Sequence, residues 1–223
     1  GIVREIEQRS AMEERPSMGR PPRMVGLSSA MRLPVVEIGA RETVVRDVSL
    51  AEAARPEVEG DRGGSEGAVT FATPRSLAAF MAALARARTT VPTTKPARRP
   101  RALLVSVPGV LAADEDDTGS NILFSPNLRW SNGRELLARM GRAFRARVCA
   151  VQEIQALALG HIAAGAAPDS FVLVDFDDGV GGAIVTGGQL LHGPLPLCGE
   201  IGHTAVYGNR RRCGCGAVGC LET

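Results

Sequence analysis

The sequence predicts a mixed α/β fold in which a sheet is covered by helices. Between residues 34 and 50, two apolar and β-branched segments follow one another, which is typical of a strand hairpin. Further along the chain, apolar runs of strand length alternate with segments whose apolar residues recur at helical spacing. Strand hairpins followed by alternating strands and helices favour a mixed sheet with helices packed on it.

Six segments of the chain predict strands. They are 34–39, Glu42–Leu50, Leu103–Val107, Val148–Val151, Phe171–Asp175 and Val180–Val185. Gly187 and Gly188 predict a hairpin turn that leads into a last short strand, Gln189–His192. The acidic, glycine-rich residues 51–70 and the acidic run Asp114–Asp117 predict exposed loops.

Three helices are predicted between these strands. Thr73 and Pro74 are typical of an N-cap and first turn, so we expect the first helix to follow them and to end near Arg88. Ser131 or Asn132 is expected to cap the second helix, and Glu153–Ala164 forms the third. The apolar faces of the first two helices are Leu77, Phe80, Met81 and Leu84, and Leu136, Leu137, Met140 and Phe144.

Composition and charge exclude some classes of protein. The 223 residues are 44% hydrophobic, which is ordinary for one large globular domain or two unequal ones. No apolar run reaches the roughly 18 residues of a membrane span, and residues 1–9 show no secretion signal. Because no initiator methionine is present, we expect a fragment. The net charge of +2 is too small to indicate nucleic-acid binding by itself.

The first 33 residues differ from the rest of the chain. They are rich in Arg, Pro, Ser and Met, and they carry six Arg against four Glu, which accounts for the whole net charge. A proline-stiffened basic segment, 19–23, lies between two possible short strands, Ile2–Ile6 and Met24–Leu27. The alternative interpretation is a disordered terminal arm.

A cluster of metal-binding side chains lies near the end of the sequence. His203 is followed by Cys213, Cys215 and Cys220, which predicts a tetrahedral Zn²⁺ site with all four positions filled. A filled shell leaves no position for water, so the site is expected to be structural. An odd number of cysteines argues against a disulfide framework and favours a reducing, cytoplasmic setting. The alternative is a group of free buried thiols.

The other two cysteines, Cys149 and Cys198, lie on apolar segments. We expect them to be ordinary core residues.

The same part of the sequence resembles a known family. The segment 198–203 (CGEIGH), followed by 213–216 (CGCG) and 219–222 (GCLE), is similar to the signature of the ROK family of bacterial sugar kinases and sugar-responsive transcriptional repressors. Segments 107–109, 125–128 with Trp130, and 179–182 agree in order. The resemblance covers residues 34–223. It implies an actin-like fold with ribonuclease-H-like lobes, of which the second lobe is incomplete here.

The N-terminal segment resembles a domain that the repressors of the family have and the kinases lack. Gly1-Ile2-Val3 followed by Gly19-Arg20-Pro21 looks like the wing of a winged helix-turn-helix domain, so residues 1–33 are expected to be its remnant together with a linker. Wing arginines contact DNA phosphates or the minor groove, which makes Arg20 and Arg23 candidate DNA contacts. A linker without a DNA role is the alternative.

The resemblance also allows a test for kinase chemistry. Kinases of the family carry an Asn-Asp pair for sugar binding and catalysis, where this chain has Gln152-Glu153. Their Asp-x-Gly-Gly-Thr phosphate turn corresponds to 37–41, which ends in Arg41, and their Gly-Thr-Gly turn corresponds to 177–179, which contains two aspartates. Carboxylates repel a polyphosphate, so we expect no kinase activity.

By the same resemblance, sugar hydroxyls are expected to contact Gln152, Glu153, Glu200, His203 and Glu222. The sequence therefore predicts a regulator, expected to be a homodimer, that binds DNA and a sugar or sugar phosphate. The alternative is a sugar kinase using ATP and Mg²⁺ with Glu153 as base. A degenerate fragment with zinc and neither activity is a third possibility.

Overall fold

The computed structural model describes residues 32–50, 67–91, 100–113, 120–165, 167–192 and 198–223. It also describes the backbone of two N-terminal strands, β1 (Val3–Ile6) and β2 (Met24–Leu27), which pair antiparallel with Val3 opposite Leu27. The predicted DNA contacts Arg20 and Arg23, the acidic run 114–117 and most of the predicted loop 51–70 lie outside the described residues.

The larger sheet has five strands. They are β3 (Arg32–Ile38), β4 (Glu42–Ser49), β5 (Val69–Ala72), β6 (Ala102–Val107) and β9 (Arg147–Gln152). Their order is β5-β4-β3-β6-β9, and β3, β6 and β9 run parallel while β4 is antiparallel to both of its neighbours. The sheet is therefore mixed, as the sequence predicts. The parallel strands end at one edge, where parallel sheets bind ligands.

Two helices cover one face of this sheet. They are α1 (Leu77–Thr90) and α2 (Glu135–Phe144), and their apolar faces meet the strands in the main core. Phe80, Leu84, Leu136 and Met140 are at most 1% exposed, which confirms the predicted faces. Burial of each such side chain contributes roughly 1.5–3 kcal/mol.

A smaller sheet forms a second packing unit. It consists of β10 (Phe171–Phe176), β11 (Val180–Thr186) and β12 (Gln189–Leu190) in that order, all antiparallel. Helix α3 (Glu153–Ala164) packs on it through Ile154 and Ala158, which join Ala183 and Val185 in a separate core cluster. The helix has the bounds that the sequence predicts. No helix among the described residues is long and apolar enough to cross a membrane.

The predicted helix starts are wrong in both cases where a cap was proposed. Ser76, not Thr73, caps α1, since its hydroxyl accepts the Ala79 N–H at 3.3 Å. The Thr73 hydroxyl instead donates to the Gly39 carbonyl at 2.8 Å and holds the β3–β4 turn. Tertiary contacts therefore override the local cap signal.

Helix α2 has no side-chain cap at all. Ser131 lies in a 3₁₀ turn, where its hydroxyl donates to the Leu128 carbonyl at 2.7 Å, and Asn132 Oδ1 accepts the Ser125 N–H at 2.8 Å. Both side chains shape the loop before the helix.

Three short strands and the burial of two cysteines differ from what the sequence predicts. Strand β5 lies partly within the predicted loop 51–70, and β7 (Val110–Ala113) pairs with β8 (Ser120–Phe124) as a separate hairpin. Cys149 is exposed and Cys198 is only partly buried, so neither is a fully buried core residue. Cys149 lies opposite Leu104, which is 37% exposed, whereas its neighbours Val148 and Ala150 pack against the main core, so its side chain lies on the other face of the sheet.

Candidate functional site

A cleft of about 560 Å³ opens between the two sheets. The carboxyl ends of β3, β6 and β9 form one side of it, through Gly39–Glu42, Pro108–Gly109 and Gln152–Glu153. The β10–β11 turn forms the opposite side, and the last residues of the chain supply Glu200, His203 and Glu222. The cleft thus brings together all five residues predicted to contact a sugar.

The pair Gln152-Glu153 lies where strand β9 passes directly into helix α3. Gln152 Nε2 donates a hydrogen bond of 2.8 Å to Glu200 Oε1, which joins the strand end to the C-terminal segment. Since an amide donates and a carboxylate accepts, the two side chains present both types of hydrogen-bonding group to the cleft.

Glu153 is surrounded by other acids. The walls of the cleft shield its carboxyl from bulk water and raise its pKa, and the negative charges of Asp175, Asp177, Asp178 and Glu37 raise it further. Both causes disfavour the charged form. Glu153 is therefore more easily protonated than a free glutamate.

Two glycines of the CGEIGH segment position Glu200. A Cβ on Gly199, whose φ is +94°, would lie 2.1 Å from the Gly182 carbonyl oxygen, and a Cβ on Gly202 would lie 2.2 Å from that of Val180. Only glycine permits this approach of the segment to strand β11. The close backbone packing therefore holds Glu200 at the mouth of the cleft.

The predicted metal ligands form one cluster. The ligand atoms of His203, Cys213, Cys215 and Cys220 all lie within 4.8 Å of one another, and Cys213 and Cys220 are buried. The Cys215 and Cys220 sulfurs are 3.7 Å apart, and Cys213 Sγ is 3.6 Å from His203 Nδ1. A tetrahedral zinc shell requires about 3.8 Å between two sulfurs and about 3.6 Å between sulfur and nitrogen. The cluster could therefore hold a metal ion.

The cluster is connected to the cleft through two carboxylates. Glu222 Oε1 accepts a hydrogen bond from Cys213 Sγ at 2.8 Å and lies 3.6 Å from His203 Nδ1. On the other side of the imidazole, Nε2 lies 3.8 Å from Glu200 Oε2. Without a metal, burial and the bond to Glu222 raise the pKa of Cys213 to about 12. Metal binding at this cluster would therefore release a proton from that thiol.

The two turns that correspond to phosphate turns face each other across the cleft. Arg41, in the β3–β4 turn, forms an ion pair with Asp178, in the β10–β11 turn. Glu37 is paired with Arg46 on strand β4 at 2.8 Å. In the sequence, Arg41 and Asp178 are departures from the kinase pattern, but neither departure by itself predicts that they pair. The opposite charges of the two residues, both at positions where the kinases have phosphate turns, are the feature of the sequence from which the ion pair could have been predicted.

The mixed five-stranded sheet, the antiparallel three-stranded sheet, the cleft between them and the Cys₃His cluster define a sugar-kinase-like class of fold. A match to the ROK family covers residues 83–223, and the chain belongs to that family. It is 49% identical over 51 residues to N-acetylmannosamine kinase of Escherichia coli, a segment that is 23% of this chain and 18% of that enzyme.

Two solved structures are informative for the fold. A ROK glucokinase from Streptomyces griseus, in complex with glucose and AMPPNP, has a TM-score of 0.67 at 23% identity and covers 86% of this chain. A ROK transcriptional regulator, a homologue of the Escherichia coli MLC protein, has a TM-score of 0.66 at 21% identity and covers 99% of it. The chain spans only 56% and 52% of those two structures. The fold is thus the actin-like ROK fold, as the resemblance implies.

Proposed function

We propose that the chain is part of a sugar-responsive transcriptional regulator without kinase activity. The observation that carries this proposal is the extent of the structural match. The regulator aligns with 99% of the chain and the glucokinase with 86%. The additional part is comparable in length to the N-terminal segment 1–33, which contains the hairpin β1–β2.

In this proposal the chain has two functional parts. Residues 1–33 are the wing of a winged helix-turn-helix domain and its linker, and residues 34–223 bind the sugar. The antiparallel pairing of β1 with β2 supports this assignment, because a wing consists of two antiparallel strands. Arg20 and Arg23, in the connection between the strands, would contact phosphates or the minor groove.

The sugar would lie in the cleft against Gln152, Glu153, Glu200, His203 and Glu222. Carboxylates suit vicinal hydroxyls because each accepts two charge-assisted hydrogen bonds. The cluster of His203, Cys213, Cys215 and Cys220 would hold Zn²⁺, which supplies structural cross-linking and no open coordination position. In a homodimer, closure of the cleft around the sugar would change the spacing of the two DNA-binding domains.

The alternative proposal is an ATP- and Mg²⁺-dependent sugar kinase with Glu153 as the base. It is favoured by the match to N-acetylmannosamine kinase. Three features oppose it. Glu153 is longer by one methylene than the aspartate of the family's Asn-Asp pair, and misplacement by about 1 Å can cost a hundredfold in rate. Arg41 is occupied by Asp178, and the second turn carries carboxylates where phosphate would bind.

The test of the proposal is DNA binding by the full-length protein. Duplexes selected from a random pool should contain a palindrome, and a sugar that binds the cleft should change the affinity for it. Arg20→Ala with Arg23→Ala should weaken binding to all sequences and reduce the slope of log K against log salt by roughly one unit per lost phosphate contact.

Arg75→Ala with Arg142→Ala, which removes two exposed arginines elsewhere, is the matched control. No enrichment of any sequence, or an unchanged salt slope in the Arg20 and Arg23 variant, would contradict the DNA-binding role.

A further inference from the structure

The segment 204–221, which carries the three cysteines of the cluster, forms a surface outside the cleft. The Val206 N–H donates to the Gly219 carbonyl at 2.7 Å. Further along, Arg212 pairs with Val218 in an antiparallel bridge. These contacts fix the backbone of the segment, and a fixed backbone lowers the entropy cost of binding a partner.

A β-turn places an aromatic side chain at the tip of this surface. The Asn209 N–H donates to the Val206 carbonyl at 3.2 Å, and Gly208, the third residue of the turn, has a φ of +80°, which glycine adopts without strain. Asn209 Nδ2 also donates to the Cys220 carbonyl at 2.8 Å and anchors the turn. Tyr207, the second residue, is fully exposed. The turn therefore presents a tyrosine to solvent from a fixed backbone.

Apolar side chains flank the tyrosine. Val206 is 41% exposed and Val218 is 55% exposed. The two valines lie on adjacent backbone segments, because Val206 is hydrogen-bonded to Gly219, the residue after Val218. An exposed group of apolar residues is typical of an interaction site, and tyrosine is enriched among the residues that contribute most to binding.

The same surface is strongly basic. Arg210, Arg211 and Arg212 are consecutive and exposed, and the segment 204–221 contains no Asp or Glu. Arg211 Nη1 donates to the Thr223 carbonyl at 3.1 Å. Within the part of the chain that the structure describes, the guanidinium groups of Arg210 and Arg212 form no ion pair. Two arginines are therefore available to carboxylates from another molecule.

The combination of apolar and basic groups selects one kind of partner. A second copy of the chain related by a two-fold axis would place arginines against arginines, which is repulsive. Nucleic acid would bind the arginines through its phosphates but would leave the valines and the tyrosine without apolar contacts. A protein segment that carries both carboxylates and an apolar side chain matches the whole surface.

We propose that segment 204–221 is a docking surface for an acidic segment of a partner protein. Carboxylates of the partner pair with Arg210 and Arg212. An apolar side chain between those carboxylates packs on Tyr207 and Val218. Since the surface lies outside the cleft, the inference does not rest on sugar binding or on DNA binding.

The experiment selects peptides from a random library displayed on phage, with the full-length protein as the target. Enriched peptides are synthesised and titrated by fluorescence anisotropy. They should be rich in Asp and Glu, contain an aromatic or aliphatic residue, and bind more weakly as salt is added. Replacement of their acids by the corresponding amides should weaken binding at least about tenfold.

Variants locate the binding site. Arg210→Ala with Arg212→Ala should weaken the acidic peptides at least about tenfold, and Tyr207→Ala at least about fivefold. The amide peptides should lose little more in the double arginine variant, because their pairing with the arginines is already absent. Arg75→Ala with Arg142→Ala removes the same charge from exposed positions elsewhere and should leave the affinity within about twofold of the original.

Several outcomes would overturn the inference. They are no enrichment of any peptide, enriched peptides that are not acidic, and unchanged peptide affinity in the double arginine variant. Random-sequence duplex DNA and vesicles containing phosphatidylserine are titrated in parallel. If the double arginine variant loses affinity for one of these while the peptides bind normally, the surface serves nucleic acid or lipid, and the inference fails while the proposed function stands.

Discussion

The two sides of the cleft differ in how their side chains are engaged. One side, called the sugar side because we propose that it binds the sugar, consists of Gln152, Glu200, His203 and Glu222. These residues are linked to one another and to the cysteine cluster through contacts of 2.8–3.8 Å. On the side of the two turns, the ion pair of Arg41 and Asp178 crosses the cleft. The first arrangement suits a ligand with many hydroxyls. In the second, Arg41, the cation that a phosphate would need, is already paired with Asp178.

The largest effect expected from this difference is on phosphoryl transfer. Incubated with ATP, Mg²⁺ and glucose, mannose or their N-acetylated forms, the protein should release ADP at less than about 0.01 s⁻¹, against 1–100 s⁻¹ for ordinary kinases. The reason is that catalysis of this reaction depends on placing and neutralising the phosphates. A coupled ADP assay measures it.

A purified hexokinase in the same assay is the positive control. Turnover of about 1 s⁻¹ or more would show that the two sides of the cleft cooperate as in a kinase, and it would refute the proposed function.

The second effect concerns the metal. Cys215→Ser should reduce bound zinc from about one equivalent to less than half an equivalent per chain and abolish sugar binding, because a bound ion would fix His203 between Glu200 and Glu222. Circular dichroism should show that the sheets formed by residues 34–185 remain folded. Metal analysis and calorimetry provide the measurements.

Cys149→Ser is the matched control, since Cys149 is exposed and lies outside the cluster. Full zinc content with normal sugar affinity in Cys215→Ser would mean that the cluster does not organise the sugar side.

The third effect is on the free energy of unfolding. Gly199→Ala should destabilise the protein by about 3 kcal/mol or more, because its Cβ would lie 2.1 Å from the Gly182 oxygen at a φ of +94°. Gly160→Ala, in helix α3 with open space around it, should stabilise by about 0.5–1 kcal/mol. Urea unfolding compares the two, and equal effects would show that the packing of the segment on β11 is not tight.

The sequence predicted the grouping of the Cys₃His residues better than the contacts between the two turns. The Cys₃His spacing and the glycines of residues 198–203 are local patterns with a direct physical cause, and the cluster they predict is present. Helix α3 has the predicted bounds for a similar reason, since its helical residues follow a strand without an intervening loop. Features that depend on residues close together in the sequence can be predicted without a structure.

The contacts that the sequence did not predict are long-range. Thr73 has a cap-like neighbour in Pro74, but its hydroxyl is used by Gly39 on another strand, and Ser76 caps the helix instead. Likewise, nothing near Arg41 indicates that Asp178 is its partner. Strand β5 is only four residues long and is specified by its pairing with β4. Such features depend on the completed topology.

The smallest effect is expected for the ion pair between the two turns. A double-mutant cycle with Arg41→Ala and Asp178→Ala should give a coupling of about 0.2–1 kcal/mol in the free energy of unfolding, because the Arg41 side chain is 80% exposed and its charge is screened. The coupling should fall further in high salt. The pair Glu135 and Arg139, exposed on helix α2, provides a cycle with a similar expected value. A coupling above about 2 kcal/mol, well beyond that of the control pair, would mean that the turns are held together as firmly as the sugar side. The ion pair would then hold the cleft closed, and the contrast between its two sides would disappear.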